Sequence, residues 1–111
     1  MTRALSQRRQ AALRRAVRAD ERCPAARSAR GAPLYASGDK DGAVLEWRRA
    51  LELDPAHAEA RFHSGVAHAD ARDLDAAERD LRAALSANPM MPEARAVLER
   101  VMQAKAQASA D

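Results

Sequence analysis

The sequence predicts an all-α fold, an α-solenoid of stacked antiparallel helix pairs, with about two full repeats flanked by a half-repeat at each end. The first observation behind this is a self-match. Trp47-Arg48-Arg49-Ala50-Leu51-Glu52-Leu53-Asp54-Pro55 returns further on as Leu81-Arg82-Ala83-Ala84-Leu85-Ser86-Ala87-Asn88-Pro89, and at the same offset backward as Leu13-Arg14-Arg15-Ala16-Val17-Arg18-Ala19-Asp20-Glu21. The second is composition: 29 Ala and 17 Arg, both strong helix formers, among 111 residues, with few β-branched residues to favour strands. The third is that apolar residues recur at helical spacing within each unit. The offset defines a unit of about 34 residues, one helix–turn–helix hairpin that cannot bury its own apolar face, so successive units must lean on one another.

The elements follow in order. Residues 1–23 form a basic helix, with Leu5, Ala12, Leu13, Ala16, Val17 and Ala19 on one side and Arg8, Arg14, Arg15 and Arg18 mostly opposite. The repeat register makes it the second helix of a truncated repeat. Residues 24–57 form the first complete unit. Pro24 opens its first helix at a favoured first-turn position. Pro33, which lacks a donor and crowds the carbonyl four residues earlier, predicts a kink or fray near Gly31–Pro33. Ser37-Gly38-Asp39-Lys40-Asp41 makes the turn, with Gly38 suited to the left-handed conformation and Asp39 or Asp41 to capping. Helix 41–53 turns Val44, Trp47, Ala50, Leu51 and Leu53 inward.

Residues 58–91 form the second unit. Its first helix, 56–71, carries Ala60, Phe62, Ser64, Gly65, Ala67 and His68, small enough on one side for a neighbour to approach closely. Arg72-Asp73 turns where Gly38-Asp39 turned before, and helix 74–87 presents Leu74, Ala77, Leu81, Ala84 and Leu85. Residues 92–111 form a carboxy-terminal capping helix, with Ala94, Val97, Leu98, Val101 and Met102 on its apolar side and a tail fraying from Ala106. A polar outer face on that last helix keeps an open stack soluble.

The net charge of +3 is unevenly spread. Residues 1–30 hold nine Arg against Asp20 and Glu21, whereas residues 31–111 hold ten Lys/Arg against 14 Asp/Glu. The basic end would attract polyanions and the body would repel them. Cys23 is the single cysteine, so no internal disulfide forms and no thiolate metal spacing exists. No apolar run reaches the roughly 18–20 residues of a membrane span, nor does any resemble a signal-peptide core, which makes the default location cytoplasmic.

These residues resemble the tetratricopeptide repeat family over residues 6–108. In its pattern W-x2-L-G-x2-Y…A-x3-F…P, the second unit supplies Gly65, Ala77, Leu81 and Pro89, with His68 at the aromatic position. The first supplies Gly31, Leu34, Ala43, Trp47 and Pro55, and the last half-unit Leu98 and Met102. Departures are Arg27, Arg61 and Arg95 in place of Trp, Arg30 and Ser64 in place of Leu, and Glu99 in place of Gly. The resemblance implies a right-handed superhelix whose first helices line a concave groove for a peptide or helix of a partner protein. The matching groove positions are Ser28, Ala32, Tyr35 and Ala36, then Glu59, Phe62, His63, Val66, Ala69 and Asp70, then Ala96, Arg100 and Gln103. Relatives that grip an acidic carboxy-terminus use Lys, Asn and Arg on these faces. Glu59, His63, Glu93 and Val97 do not supply that set, which argues against such a clamp.

Little else suggests chemistry. Glu59, His63 and Asp70 fall on one helix face at spacings compatible with a metal or a tuned histidine, a pattern that solvated helices also produce by chance. Phosphate loops, nucleophile sets and paired carboxylates are missing from the sequence, so it supports neither an enzyme nor a cofactor. The expected function is a non-catalytic protein-interaction module or scaffold. The alternative is an electrostatic adaptor whose Arg8, Arg14, Arg15 and Arg18 hold nucleic acid or an acidic surface, nucleic acid being the less favoured partner. Leu5, Leu13 and Val17, lacking the first helix of their own repeat, also predict weak self-association through the amino-terminal end.

Overall fold

The computed structural model describes residues 7–10 and 22–110. Residues 7–10 are helical and exposed, Arg8 among them. The rest forms five helices: α1 (Pro24–Ala36), α2 (Lys40–Leu53), α3 (Ala58–Asp70), α4 (Leu74–Ala87) and α5 (Pro92–Ala110). Leu5, Leu13, Val17, Arg14, Arg15 and Arg18, and with them the expected self-association surface and most of the basic patch, lie outside the described residues.

The closest pairings are α1 with α2 and α3 with α4, the two hairpins, and α2 packs on α3 and α4 on α5 to join them. The first helices also touch one another, α1 with α3 and α3 with α5, while α2 and α4 make no mutual contact. A stack whose first helices approach and whose second helices splay is concave on the α1–α3–α5 side.

The turn, cap and seam contacts of one unit recur one repeat further on. Each hairpin turn ends its first helix in a Schellman arrangement: Asp39 N donates to Leu34 O at 2.8 Å, as Asp73 N does to His68 O at 2.9 Å. The pivot is left-handed in both, at Gly38 (φ 99°) and Arg72 (φ 67°). The same aspartates cap the next helix, Asp39 Oδ1 accepting from Gly42 N at 3.0 Å and Asp73 Oδ1 from Ala76 N at 3.3 Å. Between units, Asp54 and Asn88 side chains each accept from the backbone two residues on, both at 3.1 Å.

The seam within each hairpin is a large side chain set against a glycine. Trp47 faces Gly31 and Leu81 faces Gly65; a Cβ at Gly65 would lie 2.8 Å from Leu81 Cγ. Trp47, 3% exposed, donates its Nε1 hydrogen to Ser28 O at 3.2 Å. The larger cluster is Ala77, Leu81, Ala84, Ala94 and Val101, with Phe62, Leu74, Leu85 and Val97 against it.

The arginines that replace the family's Trp are also periodic. Arg27 meets Glu46 at 3.4 Å and Arg61 meets Asp80 at 3.3 Å, acid following base at the same interval each time. Arg61 Nε donates to Pro55 O and Arg95 Nη2 to Pro89 O, both at 3.1 Å, so the inserted cation also closes the preceding turn.

Four expectations are corrected. α1 does not fray at Gly31–Pro33 but stays helical from Pro24 to Ala36. The proline sits in its last turn, where one bond is lost, and its own carbonyl accepts from Ser37 N at 3.0 Å. The tail does not fray at Ala106 but stays helical to Ala110: Ala, Gln and Lys are good helix formers, and Lys105 Nζ anchors the region to Asp75 and Glu78, each at 2.8 Å. Leu53 and Met102, expected inside, are 46% and 39% exposed, since Trp47 and Ala50 already fill the inner face of α2 and Val101 that of α5. Ser28, assigned to the groove, is fully buried, because Trp47 bonds its carbonyl and draws that turn of α1 onto α2.

Candidate functional site

The groove side of the stack is built by α1, α3 and α5, and α3 contributes most of it because it alone has a first helix on either side. Its axis is short of bulky side chains, with Gly65, Ala67 and Ala69 letting α4 and its neighbours come close, so the larger groove residues stand out at its two ends.

At the end nearest the starts of α3 and α5, a cleft of about 470 Å³ is lined by Glu59, Phe62 and His63, with His57, Ala58, Asn88, Met91 and Glu93. Phe62 is half-buried: one side of the ring packs on the Leu81 cluster and the other faces the cleft. His63 stacks flat on Trp47, ring centroids 5.2 Å apart at 10°, and its Nε2 lies 3.6 Å from Glu59 Oε1. Trp47 thus holds the orientation of a groove residue one repeat away. His57 Nε2 is buried without a hydrogen-bond partner among the described residues.

A second cleft, of about 220 Å³, opens toward the far end of the same two helices. It is lined by Val66, Ala69, Asp70 and Leu74 on one side and Val97, Arg100 and Val101 on the other, with Arg72 at its edge. Here the floor is aliphatic and the rim carries both signs of charge.

Tyr35 sits where α1 meets α3. Its hydroxyl donates to Asp70 Oδ2, its ring lies 5.7 Å from that of Trp47, and Lys40 Nζ stands 5.6 Å from its centroid. The Asp70 hydrogen bond, aided by burial and by the carboxylate's charge, pushes the phenol up to about 12. Tyr35 therefore ties two repeats together as well as lining the groove.

Tyr35, Phe62 and Val66 do not form one continuous strip. Phe62 belongs to the first cleft, Val66 to the second, and Tyr35 to a separate hollow with Val44 and Ala67. Glu59, His63 and Asp70 do not converge either, because Asp70 turns to Tyr35 while His63 keeps Glu59. Among the described residues no group of three His, Cys, Asp or Glu side chains is placed to hold a metal. His68, at the family's aromatic position, donates through Nδ1 to Asp80 Oδ2 at 2.9 Å, an oxygen that also accepts from Ser64 Oγ at 2.9 Å. Asp80 is the residue that sequence reasoning missed. Its signal was available in its interval from Arg61, which equals that from Arg27 to Glu46. His57, Asn88 and Met91 were also missed as groove residues because they belong to turns rather than to the periodic helix faces.

Of the basic patch, Arg8 is exposed, and the other three members lie outside the described residues. No described helix is long and apolar enough to cross a membrane.

A family model for the tetratricopeptide repeat matches residues 34–92. Among solved structures, the first TPR of Spaghetti (RPAP3) bound to HSP90 peptide SRMEEVD superposes with a TM-score of 0.71 at 22% identity, over 77% of this chain and 68% of that one. At that identity the likeness is one of fold. No curated protein matches the chain.

Proposed function

Because this chain belongs to the tetratricopeptide repeat family, we propose that it is a non-catalytic interaction module, binding a peptide or helix of a partner protein along the α1–α3–α5 face. The observation that carries this reading is the pair of clefts strung along the α3–α5 junction, 470 and 220 Å³, with Phe62 facing one and Val66 the other. Aromatic and aliphatic side chains half-held by a rigid scaffold make good anchors, because little rotamer freedom is lost when a partner covers them. The fold neighbour carries a bound peptide, which supports the class of ligand without naming this chain's own. The electrostatic-adaptor reading draws no support from the described residues or from the comparisons.

A photo-reactive residue placed at Arg100, on the groove side, or at Arg79, exposed on α4, tests the proposal. The expected result is a partner cross-linked from position 100 and not from position 79. Capture from α4 with none from α5 would move the binding surface to the convex side and overturn it.

A further inference from the structure

We infer that the α3–α5 groove is electrically polarised and takes an extended segment carrying a Lys or Arg at the Glu59/Glu93 end, an apolar side chain next, and an acidic group at Arg100. This rests on the groove reading above and specifies its ligand. Glu59 and Glu93 line one cleft together. The Glu59 side chain is 51% exposed and its one ion-pair partner among the described residues is His63, at 3.6 Å, a pair only while that ring is protonated. Glu93 is exposed and has no ion pair among the described residues. Two carboxylates facing one hollow repel each other and attract a cation, whose aliphatic stem would lie on the adjoining apolar surface of Phe62 and Met91.

The opposite end is net positive, with two arginines and one carboxylate on its rim. Arg100 and Arg72 border the second cleft and form no ion pair among the described residues, while Asp70, the one acid lining that cleft, has an oxygen taken up by the Tyr35 hydroxyl but keeps its charge, which leaves two cations to one anion there. Glu93 and Arg100 are seven residues apart on one helix, about 10 Å along its axis, a span that about three residues of extended chain cover. Opposed charges at that separation select the direction of a bound segment as well as its composition. A competing explanation gives Glu59 and Glu93 only a helix-end role, since each occupies the first turn of its helix, where an acid complements the dipole. In that case charge reversal alters stability and leaves ligand choice untouched.

The test is a randomised heptapeptide display library selected against the whole chain, its Glu59→Lys/Glu93→Lys variant, and Phe62→Leu, which keeps an apolar side chain so that the fold survives. The expected result is enrichment of Lys or Arg two to four positions from Asp or Glu. A synthetic peptide of that consensus should bind the charge-reversed variant about tenfold more weakly at low salt, a gap that narrows as salt is added. Selection of peptides without a basic residue, bound within twofold by the charge-reversed variant, would overturn the polarity. If those peptides still lose affinity on Phe62→Leu, the groove reading stands alone; indifference to Phe62→Leu as well sinks both.

Discussion

Gly65→Ala sets two known effects against each other at the tightest point of the α3–α4 seam. Replacing a mid-helix glycine by alanine favours the helix by about 1 kcal/mol. The new methyl, however, would lie 2.8 Å from Leu81 Cγ and 3.1 Å from its Cδ2. Leu81 is fully buried, so it has nowhere to swing, and overpacking of this kind costs about 1–3 kcal/mol. The seam should win, leaving a net loss of about 1 kcal/mol, or roughly 4–8 °C in Tm for a domain near this size. Leu81→Ala alone should cost about 2–5 kcal/mol through the cavity it leaves. In the double variant the methyl added at position 65 occupies part of that cavity, so the two losses should add to less than their sum by at least about 0.5 kcal/mol. Urea unfolding followed by circular dichroism on the four chains measures all of this. A stabilised Gly65→Ala, or strict additivity, would show that α3 and α4 are not held at the separation from which the groove geometry is derived.

Asp80→Asn keeps shape but discharges an acceptor shared by Arg61, Ser64 and His68; about 2 kcal/mol of stability should be lost, and Glu46→Gln, at the equivalent place with Arg27 and a looser Arg49, should cost about half as much in the same unfolding assay. Tyr35 is the sole tyrosine, so absorbance of its phenolate reports one group: the midpoint in the folded chain should lie near 12 against an ordinary 10.0, and Asp70→Asn should bring it down. Because that pKa is raised on folding, its contribution is complete below pH 10 and is lost as pH climbs toward 12; a Tyr35→Phe chain should not show this alkaline loss. Arg72→Gly relieves a left-handed residue, φ 67°, at a position where glycine is preferred, and thermal melting should rise by a few degrees; an unchanged or lower Tm would mean the Arg72 side chain stabilises the turn.

What could be read in advance follows from which contacts are local to a repeat. The turn at Gly38 and Arg72, the caps at Asp39 and Asp73, and the seam residues Trp47 and Leu81 all depend on neighbours within one repeat length, so comparing the chain with itself exposed them. Pro33 misled because its cost depends on depth within the helix, and the helix ended one turn later than a break required. Leu53 and Met102 misled because helical spacing marks an apolar stripe but not how much of it the neighbouring helix reaches. The arginines at 27, 61 and 95 looked like weaknesses against the family pattern. Paired with Glu46, Asp80 and the carbonyl of Pro89, they replace an aromatic plug by directed hydrogen bonds.

The groove was less legible than the scaffold for a related reason. Side chains that recur at the repeat interval on the inner helices mostly serve the stack, because every unit needs the same support. Ligand choice must then reside where the interval is broken on that same face. Phe62 has Ser28 and Ala96 as its counterparts, Val66 has Ala32 and Arg100, and Asp70 has Ala36 and Ala104. Of these, Ser28 is turned into the core, while Phe62, Val66, Asp70 and Arg100 line the two clefts. Glu59 and Glu93 do recur, and their recurrence is what places two like charges in one hollow once α3 and α5 come together. No single unit contains that hollow, so its sign emerges only from stacking.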